Sequence, residues 1–106
     1  MTVKFQETVL NKIKQIPKGK VTTYGAIALE LTGSVRAARA VGQAVAKNPY
    51  PITIPCHRVV RTDGDVGGYC FGVETKIKTL REEGLVIIGR RVQNLENVVF
   101  LFGKSE

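Results

Sequence analysis

The sequence has few of the features that mark membrane, exported or metal-binding proteins. Its 106 residues contain no apolar run near the ~20 residues that a membrane-spanning helix needs. The first seven residues lack the apolar core of a signal peptide. Two cysteines and one histidine are too few for a closed four-ligand zinc site without carboxylates. We therefore expect a cytoplasmic protein, nuclear in a eukaryote, with free thiols and no metal.

Internal repeats, low-complexity tracts and long linkers are also absent. With 43% hydrophobic and 24% charged residues, the chain has the composition of a folded domain. We expect one domain over residues 1–106, acting as a monomer.

Acidic residues are scarce in the first part of the chain. Residues 1–62 contain ten basic residues but only Glu7 and Glu30, whereas residues 63–106 contain six basic and seven acidic residues. The net charge of +7 is thus carried by the first part. This distribution suits a polyanionic partner such as nucleic acid, although a solvated basic surface is the simpler alternative.

Apolar spacing and capping residues predict three helices in the first part. One covers residues 4–16, where Pro17 stops the pattern. A second covers 24–31 behind Thr23, a good N-cap residue. Ser34 begins a third, from Val35 to about Lys47, which Asn48 and the following prolines end. The last two helices and their Gly-containing turn form a helix-turn-helix pattern.

The third predicted helix has unusually small side chains. Its alanines and glycine are Ala37, Ala38, Ala40, Gly42, Ala44 and Ala46. Such residues allow close packing against another helix. A slender helix that also carries arginines equally suits the DNA minor groove, which is only ~6 Å wide.

The second part of the chain predicts short strands and one helix. An apolar stretch over 52–61 ends in a predicted strand. The Asp-Gly turn at 62–65 reverses the chain direction, and residues 66–69 form the second strand of a hairpin wing. A helix follows over 74–83, and 85–88 with 98–102 read as a strand pair. The expected fold is mainly α, winged helix-turn-helix-like, with a β-hairpin wing and a C-terminal strand pair; the tail 85–106 receives no role.

The only histidine directly follows a cysteine. Cys56-His57 pairs a nucleophile with a base, because the reactive thiolate forms more easily beside an imidazole or guanidinium that lowers its pKa. Glu82 or Glu83 could orient the imidazole. Taken alone, the Cys-His dipeptide is weak evidence for a reactive thiol, since a buried inert cysteine is more common.

The surrounding motif is more specific. The heptapeptide Ile54–Val60, reading IPCHRVV, resembles the active-site signature of the O6-alkylguanine-DNA alkyltransferases. The resemblance runs from about residue 5 to 84 and includes 21–24, 36–42, Asn48-Pro49, and Gly68-Tyr69 with Gly72. Members of this family often carry an additional N-terminal domain. Because the resemblance to the catalytic domain already begins at about residue 5, we expect this chain to contain the catalytic domain alone.

The resemblance implies five catalytic roles. Cys56 accepts the alkyl group from O6-alkylguanine, and His57, acting through a water and oriented by Glu83, takes the thiol proton. Tyr69 hydrogen-bonds the leaving guanine oxygen. Asn48 ties the helix-turn-helix to the active-site loop. The acceptor reacts once, and no cofactor is implied.

The resemblance also implies a partner, double-stranded DNA containing O6-alkylguanine. Arg39 enters the duplex in place of the flipped nucleotide, and Tyr24 presses on the neighbouring phosphate. Arg36, Ala38 and Gly42 complete the DNA-binding surface.

Three further residues are implied in the pocket for the damaged base. The carbonyls around Cys56 and Val59 read the guanine amino group, and Cys70 adds a second thiol or is a passive substitution. Phe71 is bulky where some members have a small residue, which predicts a narrow pocket that disfavours large groups such as benzyl.

Two other function classes stay open at this stage. Alkyltransferase-like proteins bind the lesion without reacting and usually carry tryptophan in place of the reactive cysteine, so Cys56 argues against them. A winged helix-turn-helix regulator is a weaker alternative, because helices that read the major groove usually carry longer side chains. Without the motif, simple structural roles for Tyr24, Asn48, Tyr69 and Glu83 would be favoured.

Overall fold

The computed structural model describes residues 2–50 and 53–102; Pro51 and Ile52, assigned above to a helix end and an apolar stretch, lie outside the described residues. Helices account for most of the regular structure in those ranges: α1 Thr2–Ile13, α2 Tyr24–Thr32, α3 Ala38–Ala46, α4 Val73–Glu82 and α5 Leu95–Val98. The strands are two residues each: β1 Thr22–Thr23, β2 Val59–Val60, β3 Ile87–Ile88 and β4 Arg91–Val92. The prediction of a mainly helical domain is confirmed.

Helix α1 buries one apolar face, on which Val9 and Ile13 are fully enclosed. The helix ends at Ile13, three residues earlier than predicted. The Gln15 and Ile16 amides donate instead to carbonyls three residues back, a tightening common at helix C-termini. Ile16 still reaches the core.

The start of helix α2 agrees with its predicted cap. The Thr23 hydroxyl accepts a hydrogen bond from the Ala26 amide at 2.9 Å, which confirms the N-cap. The helix ends at Gly33, whose φ of +78° lies in the left-handed region that favours glycine.

The predicted third helix is divided into two parts. The Ser34 hydroxyl accepts from the Arg36 amide at 3.1 Å and thereby begins a 3₁₀ turn over Val35–Ala37. Helix α3 follows from Ala38, so the prediction of one continuous helix from Val35 is wrong. The turn packs against α2 and sets the start of the small-residue helix.

The predicted hairpin wing does not form as a strand pair. Strand β2 pairs in parallel with β1, Thr22 opposite Val59 and Thr23 opposite Val60. All four residues are buried, and this pairing places them between the helices, which a wing projecting into solvent would not allow. The loop 61–67 closes on itself, with the Arg61 amide donating to the Asp65 carbonyl at 2.8 Å.

The tail contains a strand pair, but with a different second strand. Strands β3 and β4 form an antiparallel hairpin. The predicted second strand, 98–102, instead lies beside β1: Val99 forms a parallel bridge to Val21, and the Phe100 amide donates to the Val21 carbonyl at 2.6 Å. This placement covers the edge of β1 and brings Phe100 against the helical core.

Two apolar clusters hold these elements together. One joins helices α1, α2 and α3 with the Cys56 segment. The other joins Val21, which precedes β1, with β2, α4 and the tail hairpin. In the part of the chain that the structure describes, no helix is long and apolar enough to cross a bilayer.

Candidate active site and nucleic-acid interface

Cys56 lies at a cavity of about 370 Å³ between the helix-turn-helix and the loop that follows β2. It begins a 3₁₀ turn, Cys56–Arg58, immediately before β2, so the parallel pairing of β2 with β1 fixes its position. The other lining residues are Tyr24, Gly42, Val45, Ala46, Asn48, Gly68, Tyr69 and Cys70. Sequence-distant segments thus meet around one buried thiol.

Asn48 connects the end of helix α3 to the active-site segment. Its side-chain amide donates to the Ile54 carbonyl at 3.1 Å, and its carbonyl oxygen accepts from the Tyr50 amide at 2.8 Å. Asn48 also lines the cavity at Cys56 and partly offsets the rise that burial causes in the pKa of the thiol. These contacts place Asn48 where the predicted tie between helix and loop requires it.

The free Cys56 thiol is not pre-ionised. Burial raises its pKa; the bond from Asn48 and the charge of Lys76 offset part of that effect, whereas the charge of Cys70 adds to it. The expectation that neighbouring His57 or Arg58 lowers this pKa is therefore wrong for the free protein. The physical reason is that Cys56 is enclosed and the Arg58 guanidinium is directed elsewhere.

His57, Arg58 and Glu83 form one hydrogen-bonded group. His57 Nε2 lies 2.9 Å from Glu83 Oε2. Arg58 donates to both carboxylate oxygens of Glu83, from Nε at 3.0 Å and Nη2 at 2.9 Å, and its Nη1 donates to the Ile16 carbonyl at 2.8 Å. Burial acts to raise the pKa of Glu83, but the bonds from Arg58 and His57 outweigh it and hold the carboxyl below its ordinary pKa.

Glu83, rather than Glu82, is thus the carboxylate that contacts His57. The described residues show no direct hydrogen bond between His57 and Cys56, and the connecting water stays a prediction. Arg58 is not available to stabilise the thiolate, because its donors are directed to Glu83 and Ile16.

Two tyrosines reach the cavity with their hydroxyl protons retained. Burial raises the pKa of Tyr69, and the charges of Cys56, Cys70 and Glu83 add to the effect. Burial and the charge of Cys56 likewise raise the pKa of Tyr24, opposed by Arg61. Tyr69 contacts His57 edge-on, with ring centroids 6.4 Å apart. A protonated phenol can donate to a leaving oxygen.

Val59 and Phe71 do not line the cavity. Val59 is fully buried, and its carbonyl accepts from Lys76. Phe71 is 52% exposed and packs edge-on against Tyr69 from outside. Phe71 thus lies behind Tyr69 rather than in the cavity lining, and its effect on large alkyl groups stays a prediction. Cys70, by contrast, does line the cavity.

Lys76 is the residue of this region that the sequence interpretation missed. Its side chain is fully buried, and the ammonium donates to the Val59 carbonyl at 2.7 Å and to the Gly68 carbonyl at 3.1 Å. It thereby joins the two chain segments on either side of the cavity. The helical spacing could have predicted that Lys76 is buried, since position 76 lies on the same face of α4 as Val73 and Leu80.

The buried ammonium makes a pH-dependent contribution to stability. Burial lowers the pKa of Lys76 from 10.5 to about 8. Between these values the unfolded chain binds the proton and the folded chain does not, so stability relative to a Lys76→Met variant rises with pH. The gain reaches about 3 kcal/mol above the unfolded pKa and is absent at pH 7.

Urea unfolding at several pH values between 7 and 10.5 measures this difference. Tyr24 and Tyr69 act in the opposite direction, but they are present in both proteins and cancel in the comparison. Cys56 does not cancel, because the charge of Lys76 lowers its pKa, so both proteins are compared in a Cys56→Ser background. Lys78→Met, at an exposed position of the same helix, serves as the control. A pH-independent difference between wild type and Lys76→Met would contradict the assignment.

A groove of about 660 Å³ runs from the cavity along helix α3. Helix α3 lines it with Ala38, Arg39, Gly42 and Gln43, and Gly42 lies beside Tyr24. Arg39 is exposed, as an intercalating side chain must be. Arg36 is exposed on the preceding 3₁₀ turn and does not line the groove.

The described residues contain no cluster of three or more His, Cys, Asp or Glu side chains arranged to hold a metal ion. The family model for the DNA-binding domain of 6-O-methylguanine DNA methyltransferase matches residues 4–85. The chain belongs to this family. The resemblance inferred from the heptapeptide is therefore confirmed.

Individual relatives show the same relationship. A methylated-DNA–protein-cysteine methyltransferase of Methanothermobacter thermautotrophicus is 42% identical over 86 residues, 81% of this chain and 47% of that protein. Another, from Methanosarcina acetivorans, is 45% identical over 80 residues, 76% of this chain and 51% of that protein. The chain thus spans about half the length of these curated relatives.

Solved structures with similar folds include DNA complexes. The fold superimposes on S. pombe Atl1 bound to damaged DNA containing O6-carboxymethylguanine with a TM-score of 0.79 and 32% identity, covering 92% of this chain and 95% of that one. Mycobacterium tuberculosis OGT in complex with DNA gives a TM-score of 0.70 and 42% identity, covering 74% and 48%.

Proposed function

We propose that this protein repairs DNA by transferring the alkyl group of O6-alkylguanine irreversibly to Cys56. The observation that carries the proposal is the placement of the buried Cys56 thiol at a cavity that adjoins the groove along helix α3. A base in a stacked duplex cannot reach such a thiol, so the nucleotide must flip into the cavity. The family membership and the DNA complexes of relatives support this assignment.

Proton removal comes before or with attack. Because burial raises the pKa of Cys56, the thiol needs a base at the moment of reaction. His57 accepts the proton through a bridging water, and Glu83 stabilises the imidazolium. The sulfur then attacks the alkyl carbon in line with the carbon–O6 bond.

Leaving-group protonation completes the transfer. As the carbon–sulfur bond forms, the carbon–O6 bond breaks and its electron pair stays on the guanine oxygen. Tyr69, whose raised pKa keeps it protonated, donates a hydrogen bond to that oxygen as negative charge develops there. The guanine anion takes a proton from Tyr69, and the proton that His57 removed from the thiol returns through water to the tyrosinate. The products are a restored guanine and a thioether at Cys56. The thioether has no leaving route, so each molecule reacts once.

Non-catalytic lesion binding is the second candidate. It is favoured by the likeness to Atl1, which covers nearly the whole of both chains. Cys56, together with the hydrogen bond between His57 and Glu83, favours transfer, because a pure binder needs no thiol beside a proton relay.

Intact-protein mass spectrometry tests the proposal. After incubation with a duplex containing O6-methylguanine, the protein is expected to gain one methyl group, located at Cys56 by peptide mapping. The matched control is Cys56→Ser, which should gain none while retaining affinity for the duplex. Binding of the methylated duplex without methylation of wild-type protein would instead establish the lesion-binding alternative.

A further inference from the structure

The loop 61–67 faces helix α3 across the groove and takes no part in the chemistry at Cys56. We propose that this loop is a second DNA-binding wall in which Arg61 binds a backbone phosphate, and that the tail hairpin of β3 and β4 holds the loop in position. The inference rests on the proposed function, since it concerns the same DNA. It also assigns a role to the first part of the tail.

The groove has two walls of different origin. Helix α3 supplies Arg39 and Gln43, and the loop supplies Arg61, Thr62 and Asp63 on the other side. The groove and the Cys56 cavity share lining residues, namely Tyr24, Gly42, Ala46 and Gly68. A strand whose base enters the cavity must therefore pass between α3 and the loop, which brings its phosphates to both walls.

Arg61 lies at the mouth of the cavity. A Cβ atom placed on Gly67 would lie 3.4 Å from Arg61 Cγ and 3.6 Å from the Tyr24 hydroxyl. Gly67 also has a φ of +75°, which disfavours other residues. The absence of a side chain at this position therefore lets the Arg61 stem lie close to Tyr24, the residue predicted to contact the phosphate beside the flipped nucleotide.

The Arg61 guanidinium is exposed and has no side-chain hydrogen bond or ion pair within the described ranges 2–50 and 53–102. An arginine can bind a phosphate through two parallel N–H donors, and such contacts position a protein on DNA without reading its sequence. The charge of Arg61 acts on Tyr24 and Asp65, but its donors make no side-chain hydrogen bond in the described ranges and are open to a phosphate that passes along this wall.

Two carboxylates on the same loop would repel a phosphate if they were left uncompensated. Arg90 of the tail hairpin pairs with Asp65, with Nη2 3.1 Å from Oδ1 and Nε 3.3 Å from Oδ2. Arg91 donates from Nη1 to the Asp63 backbone carbonyl at 2.7 Å, which places a second cation beside the loop. The hairpin thus offsets the negative charge of the loop.

Backbone bonds hold the loop against the hairpin as well. The Val66 amide donates to the Arg90 carbonyl at 2.8 Å, and the Val92 amide donates to the Gly64 carbonyl at 2.9 Å. Inside the loop, Asp65 accepts from the Gly67 amide at 2.8 Å. The β3–β4 hairpin therefore holds the loop in position, although no described residue of the hairpin lines the groove.

Duplex affinity measured against salt concentration tests the phosphate contact. Arg61→Gln is expected to weaken binding about fivefold at 0.15 M salt and to reduce the slope of log affinity against log salt by about one. The loss should be equal for methylated and undamaged duplexes. The rate of Cys56 methylation by free O6-methylguanine base should fall by a smaller factor than the duplex affinity, because a free base carries no phosphate for Arg61 to bind. Lys78→Gln, at an exposed position outside the groove, controls for loss of one positive charge.

A double-mutant cycle tests the positioning by the tail. Arg90→Gln alone should weaken duplex binding in the same direction, since it frees Asp65 and loosens the loop. If Arg90 acts by positioning Arg61, its effect should be largely lost in the Arg61→Gln background. Full additivity of the two losses would overturn the positioning role and leave only a general effect of charge.

Two results would overturn the Arg61 contact itself. One is an Arg61→Gln variant that binds duplex with the affinity and salt slope of Lys78→Gln. The other is a parallel loss of reaction with the free base, which would assign Arg61 to the cavity or the fold. These outcomes are separable from the proposed function, because wild-type protein that methylates Cys56 from duplex DNA establishes transfer whatever Arg61 does.

Discussion

Replacing His57 by glutamine is expected to slow methyl transfer to Cys56 by about 10²- to 10⁴-fold at pH 7. The magnitude follows from burial of the thiol, which raises the pKa of Cys56 and leaves little thiolate at neutral pH. A base is then needed within reach, and His57 is the only histidine of the chain, hydrogen-bonded to Glu83 at 2.9 Å. Glutamine retains a hydrogen-bond donor for Glu83 but cannot accept the thiol proton.

The pH profile separates this role from a structural one. The wild-type rate should stay high near neutral pH, whereas the His57→Gln rate should climb with pH up to the raised pKa of the thiol. Glu83→Gln should have the same effect in weaker form, because the amide can still orient the imidazole but no longer compensates its charge. An Asn48→Ala variant should lose rate with a smaller change in profile.

Single-turnover rates at several pH values, with melting temperatures to check folding, provide the measurement. A folded His57→Gln variant with the native rate and the native profile would eliminate the relay. Arg58 could not replace His57 in that case, because its donors are directed to Glu83 and the Ile16 carbonyl.

Replacing Arg39 by alanine is expected to slow the reaction on duplex DNA by about 10²-fold at saturating DNA while leaving the reaction with free O6-methylguanine base unchanged. Extruding a nucleotide costs a few kcal/mol of stacking and pairing, and a side chain that fills the vacated space recovers part of it. Arg39 is exposed on helix α3 and lines the groove that adjoins the cavity. It has no assigned contact with the reacting atoms.

Arg36→Ala is the matched control for Arg39. Arg36 is an exposed arginine one turn away that does not line the groove, so its loss should weaken duplex affinity without slowing the saturated rate. The comparison uses pre-steady-state methylation of Cys56 with duplex, single-stranded and free-base substrates. Equal slowing of Arg39→Ala on duplex and free base would mean that Arg39 supports the cavity rather than base flipping.

Local signals in the sequence were sufficient where the interaction is between near neighbours. Thr23 and Ser34 cap the elements they precede because their hydroxyls need only reach an amide two or three residues away. The heptapeptide around Cys56 identified the family, because it resembles the family's active-site signature over consecutive residues. These conclusions needed no knowledge of which segments meet.

Partner choice between distant segments could not be derived in this way. Strand β2 was expected to turn back on itself, but pairing with β1 buries both strands between helices and leaves the loop 61–67 free for the groove. Residues 98–102 likewise pair with Val21 rather than with the neighbouring strand. A two-residue strand carries too little pattern to specify its partner, so the packing of the helices decides it.

The sequence by itself determined the family, the helical framework and the identity of Cys56 as the candidate acceptor. Only the tertiary structure decided the electrostatics: the raised pKa of Cys56, the engagement of Arg58 by Glu83, the exposure of Phe71 and the burial of Lys76 against two carbonyls. The physical reason is that burial and long-range partners set a side chain's charge state, and both depend on residues far away in the chain.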